Sequence, residues 1–136
     1  MPIEVEQIKP DMYALRWIGN VKMKEIRESH EETLRLATEA GIEQYIHILE
    51  LSKMISFPYD LAGLWSVIIN YPQAFAIMIV NAPLAGKTMA ALINRISKRV
   101  SLETFDTFEQ AQERAEKILV EKRIRQTASE SKPISS

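Results

Sequence analysis

His47, Glu50 and Ser52 crowd the end of one apolar run, and a base, an acid and a hydroxyl so placed are the ingredients of hydrolytic or acyl-transfer chemistry. Alternation along an extended chain divides them, sending His47 to one face and Glu50 and Ser52 to the other. Only Glu50 and Ser52 can then cooperate, and a serine without a nearby base is a poor nucleophile. A small enzyme built on Glu50 and Ser52 therefore stands as an alternative rather than the first reading. The simpler role for Glu50 is to receive backbone N–H groups from the loop that follows.

A second stretch, Asn81-Ala-Pro-Leu-Ala-Gly86-Lys87-Thr88, has the Gly-Lys-Thr ending of a phosphate-cradling loop. It lacks that loop's first glycine, having Asn81 instead, and Pro83 removes one of the N–H donors that would wrap a phosphate. Gly86 and Lys87 are expected inside a helix, with Lys87 solvated. The two histidines, His30 and His47, lie on different elements, and a metal would need both rings and a carboxylate to converge. His47 reads as a neutral histidine of the sheet, and no metal or cofactor is expected. With no cysteine in the chain, thiol catalysis and thiolate metal sites are excluded.

The elements that must position these residues follow from the hydropathy pattern. Ile3 to Ile8 alternates as an edge strand. Pro10 and Asp11 supply a turn, and Met12 to Trp17 or Ile18 forms the second arm of a hairpin. Lys22 to Ala40 carries Met23, Ile26, Thr33, Leu34 and Ala37 at helical steps, and Gly41 ends it. Gln44 to Leu51 and Ala74 to Val80 are apolar on successive residues, as in parallel strands covered on both faces.

Between them, Ser52 to Tyr59 reads as a loop halted by Pro58. Asp60 is the N-cap of a helix from Leu61 to Asn70. Asn81, Ala82 and Pro83 open a helix to about Ser97, with Leu84, Met89, Leu92, Ile93 and Ile96 near one face. Val100 to Phe105 is a short strand, and Thr107 with Gln110 forms a capping box for a last helix that buries Phe108, Ala111, Ala115, Ile118 and Leu119. Residues 1–124 thus form one α/β domain of order ββαβαβαβα, a mixed but mostly parallel sheet of about five strands with four helices. Residues 125–136 are expected to be a disordered tail.

The chain of 136 residues carries 17 Lys and Arg against 18 Asp and Glu, a formal net charge of −1, so no global field favours nucleic acid. No apolar stretch approaches the roughly 18 to 20 residues of a membrane span, and the N-terminus has no secretory pattern. A cytoplasmic protein without stable membrane insertion is expected.

The run His47-Ile-Leu-Glu-Leu-Ser52, a loop and helix, then Ala76-Ile-Met-Ile-Val-Asn81, a helix, and Phe105-Asp-Thr-Phe-Glu-Gln-Ala111 resembles the STAS domain of anti-sigma-factor antagonists, and more closely the antagonist-like group of unassigned function. The likeness covers about residues 1–122, with Glu50-Leu51-Ser52 where that family has Asp-Leu-Ser. It implies a regulatory binding domain. In the antagonists an Asp-Ser pair at the start of the following helix carries the phosphorylated serine. Here those positions fall near Pro58 and Tyr59, and Ser56 is the nearest hydroxyl in the loop.

The expectation is accordingly a non-enzymatic domain that engages a partner protein, or a small apolar or anionic ligand, through Glu50, Ser52, Ser56, Phe57, Tyr59, Asp60 and Trp65. Self-association is expected because the hairpin edge and the apolar loop need cover. Carriage of a lipid or apolar metabolite is a further alternative that requires a cavity between the sheet and the helix Leu61 to Asn70.

Overall fold

The computed structural model describes residues 2–131. Its elements are β1 (Ile3–Lys9), β2 (Met12–Asn20), α1 (Met23–Glu39), β3 (Tyr45–Ser56), α2 (Leu61–Asn70), β4 (Ala74–Val80), α3 (Leu84–Ile96), β5 (Ser101–Phe105) and α4 (Phe108–Ser131). The strands form one sheet in the order β1-β2-β3-β4-β5, with β1 and β2 antiparallel and every later pair parallel. The expected α/β class, element order and mostly parallel sheet are those observed.

Because β2 to β5 succeed one another in both sequence and space, each crossover of constant hand lays its helix on the same side. Ile26 and Ala37 of α1, Val67 and Ile68 of α2, and Ala90 and Ile93 of α3 share one core with Tyr13, Leu15, Tyr45, Leu49, Ile77 and Leu102 of the sheet. On the other side α4 alone packs Ala111, Ala115 and Leu119 against Met12, Ile46, Ile48, Met78 and Val80. Residues 45–49 of β3 and 76–80 of β4 therefore alternate between two buried environments, which accounts for strands without polar alternation.

Local chemistry sets the boundaries. The Glu25 carboxylate accepts the Lys22 N–H at 2.8 Å, closing the start of α1, and Gly41 follows its end at φ +73°. The Thr107 hydroxyl accepts from Gln110 N–H at 3.2 Å while the Gln110 side chain accepts from Asp106 N–H at 3.3 Å, a reciprocal pair at the start of α4.

Three expectations change. The stretch Ser52–Ser56 is not loop but the continuation of β3, held by pairing to Ile18, Gly19 and Asn20. In α3, Ile93 is buried as expected, but Leu84, Leu92 and Ile96 are exposed and Ala90 completes the buried face. Helix α4 continues to Ser131, into the segment expected as tail, while residues 132–136 lie outside the described residues. Among the described residues, no helix is long and apolar enough to cross a membrane.

Candidate functional site

At the carboxyl ends of the strands β3 outruns its neighbour. Glu50 stands opposite Val80, the last residue of β4, and β3 then runs on to Ser56 paired only with β2. The edge it leaves open borders a depression of about 490 Å³ lined by Ser52, Met54, Ile55, Tyr59, Asn81 and Pro83, among others. Apolar side chains stand in solvent around it: Ile55 is 79% exposed, Tyr59 66%, and Leu84, next to Pro83, 81%.

Most of the residues expected at the site gather here, though not all face outward. The Glu50 carboxylate accepts from Ser52 N–H at 2.7 Å and from the Asn81 side-chain amide at 3.3 Å, so it ties β3, where its overhang begins, to the residue after β4. Asn81 holds φ at 60° and donates its own N–H to the Phe105 carbonyl at 3.0 Å, which adds the end of β5 to the same junction. Ser52 is exposed. The Ser56 hydroxyl donates to the Asn20 side-chain oxygen at 2.7 Å, at the tip of β3 and ahead of α2.

Asp60 caps α2, its carboxylate accepting from Gly63 N–H at 2.9 Å. A negative group thus already occupies the start of α2, and an anionic ligand there would meet like charge. Phe57 is buried, at 9% exposure, and supports Tyr59 from beneath with ring centroids 4.4 Å apart; Trp65 is half-buried. Gly86 lies in the first turn of α3 and Lys87 is exposed, without the wrapped loop a phosphate would need.

Glu50 and Ser52 share a depression with Arg16 and Phe108 on the α4 side of the sheet. His47 is buried on the opposite side, its ring 4.6 Å from that of His30 on α1. Sequence reasoning kept these two imidazoles apart, and the fold joins them. Tyr45 lies 5.3 Å from His47, and Tyr71 lies 5.4 Å from His30.

Among the described residues, neither nitrogen of His47, nor Nδ1 of His30, nor the Tyr45 hydroxyl has a hydrogen-bond partner. Burial pushes His30 down to about 4, and burial followed by the nearness of His30 holds His47 well below its ordinary value. Burial likewise raises the Tyr45 phenol to about 12. The cluster is therefore uncharged near neutrality. Among the described residues, no group of three or more His, Cys, Asp or Glu side chains could hold a metal. The signal available in the sequence was the shared face of Tyr45 and His47, two residues apart in a strand.

Beside this cluster, between the sheet and α1 to α3, is a cavity of about 90 Å³. Its wall includes Leu64, Val67 and Ile68 of α2, the place where an apolar-ligand alternative requires space.

An uncharacterized protein of the DUF3478 family with a SpoIIAA-like fold, from Shewanella loihica PV-4, superposes with a TM-score of 0.55 at 13% identity, over 83% of this chain and 91% of that one. The fold is SpoIIAA-like. The anti-sigma factor antagonist SpoIIAA in its unphosphorylated form gives a TM-score of 0.52 at 12% identity, covering 82% and 96% of the two chains. The Bacillus cell fate determinant SpoIIAA in its phosphorylated form gives 0.53 at 9% identity, covering 82% and 97%. No family model and no curated protein matches the sequence. The likeness to SpoIIAA is thus one of backbone architecture, as the resemblance in element order implied.

Proposed function

We propose that this chain is a non-enzymatic binding domain that engages a partner protein through the overhanging end of β3, residues Ser52–Ser56, and the turn into α2. The observation that carries the reading is the unpaired edge of β3 beyond Glu50, set beside exposed Ile55, Tyr59 and Leu84. An open strand edge offers backbone donors and acceptors to an extended segment of a partner, and the adjoining depression can receive its alternate side chains. The similarity to SpoIIAA, an anti-sigma factor antagonist, supports a protein rather than a metabolite as the partner at this rim. The parallel strands run in sequential order, so no strand-order reversal opens a substrate crevice between them.

A photoreactive residue at Ile55 tests the proposal against the same residue at exposed Lys117 on α4. The expected result is one adduct of defined mass from Ile55 and none from Lys117, abolished by Tyr59→Asp with the melting temperature unchanged. An adduct of twice the chain mass would identify a second copy as the partner. Equal labelling at both positions, or none at Ile55, rejects the rim as a docking surface.

A further inference from the structure

The cavity between the sheet and α1 to α3 is walled by Ile26, Val67, Ile77, Ile93 and Leu102, with Ala90 on the α3 side. Two lining side chains carry a polar atom, Trp17 and His30, and both are buried, at 5% and 4% exposure. Among the described residues, each leaves a ring nitrogen without a partner: Nε1 of Trp17 and Nδ1 of His30. Protein interiors hold few voids larger than a water, and buried polar atoms are nearly always bonded. Here both departures fall in the same wall.

Each feature limits what fits. An indole N–H donates only, so it calls for an acceptor. The remaining wall is apolar, so the rest of the occupant must be apolar too. A water would answer the indole but leave the hydrocarbon wall uncovered, and the space exceeds the roughly 10 to 15 Å³ that one water needs. By comparison with the cavity of about 150 Å³ that holds benzene, about 90 Å³ takes roughly four non-hydrogen atoms, far less than a fatty acid. Since burial keeps the imidazoles neutral at pH 7, nothing in the wall compensates an ionic guest.

We infer that this cavity is a binding site for a small uncharged molecule, an apolar skeleton bearing one oxygen acceptor such as a short ketone, alcohol or amide, held by the Trp17 indole N–H and the His30 ring. The site lies under α2, which buries only Val67 and Ile68 of its own residues. It is independent of docking at the rim and stands if that reading fails.

The test uses acetone as the oxygen-bearing probe and xenon as the apolar one, on W65F protein labelled with nitrogen-15 and with carbon-13 at isoleucine methyls, in which Trp17 gives the single indole signal. The expected result is a saturable shift of the Trp17 indole N–H with acetone. W17F, followed through the Ile77 methyl signals, weakens acetone about tenfold, the worth of one hydrogen bond, and changes xenon less than twofold. A90L fills the space and abolishes both, and A90V, a smaller filling, weakens both if A90L does not fold. Acetate at pH 7, of the same size, leaves every signal in place. A shift that rises linearly without saturating, equal weakening of both probes in W17F, or acetone binding unchanged in the filled variant each overturns the assignment. So does a bound water beside the indole that acetone never displaces.

Discussion

The rings of His30 and His47 meet 4.6 Å apart at an interplanar angle of 65°, inside the core and with no hydrogen bond to either nitrogen of His47. Both are neutral in the folded chain, whereas an unfolded histidine takes up a proton near pH 6.5. Between that value and the folded pKa of His30, about 4, the unfolded chain holds the extra protons, so stability is whole above about pH 6.5 and is lost as pH falls. One such group gives about 1.4 kcal/mol per pH unit within the window, roughly 3 kcal/mol in all. Urea unfolding from pH 7.5 to 4 should show this slope. The His30→Leu/His47→Leu double variant should remove it, leaving the part due to carboxylates, and identical profiles for the two proteins would exclude the pair as its cause.

Asp60 and Gly63 are coupled by geometry. A methyl group on Gly63 would stand 2.5 Å from Oδ2 of Asp60 and 2.9 Å from its Cγ, so Gly63→Ala must push the capping carboxylate aside. Asp60→Ala should cost about 1 kcal/mol. Gly63→Ala should also destabilise in the natural chain, yet stabilise by up to about 1 kcal/mol once Asp60 is gone, because alanine is the better helix former. A double-mutant cycle by thermal unfolding measures the sign change, and simple additivity would mean that the two do not interact.

Asn81 turns the chain at φ 60° while its side chain reaches Glu50. Asn81→Gly keeps the backbone conformation and should lose only the amide contact, about 0.5 kcal/mol. Asn81→Ala adds the strain of a left-handed backbone, a further 1 to 2 kcal/mol. The ranking Asn, Gly, Ala in denaturation midpoints tests it, and equal stabilities for the Gly and Ala variants would contradict the strain.

How much of this was legible in the residues varies by element. Helix α2 and strand β4 have the expected ends because Asp60, Pro72 and Asn81 punctuate them locally. The extension of β3 through Ser56 had no such signal. Ser-Lys-Met-Ile-Ser has little apolar patterning, and its support comes from Ile18 to Asn20 on another strand, a long-range pairing that propensity does not register. The histidine pair was half visible, since alternation places His47 beside Tyr45, but the rotation of α1 over the sheet decides that His30 meets it. Pro58 dominated the reading of the rim and concealed that Phe57 turns inward. The run of α4 to Ser131 reflects propagation of an existing helix, which adds residues cheaply once the first turn is formed.

Leu119 is the last buried residue of α4 among the described ones. A chain ending at Ile124 should therefore melt within about 2 °C of the full one, since exposed residues beyond the core carry little stability. A larger loss in calorimetry would show that the segment after Ile124 contributes to the domain.

One side of the sheet is roofed by three helices woven between the strands, the other by a helix that comes after all of them. During synthesis, once β5 has cleared the ribosome the finished sheet holds Ile46, Ile48, Met78 and Val80 bare to water or any waiting chaperone, until α4 emerges and folds back. Ribosome-bound chains in which a linker carries Asp106 clear of the exit tunnel should bind a hydrophobic dye strongly, and those in which a linker does the same for Ser131 only weakly. The final helix would then be the step that closes the newborn domain.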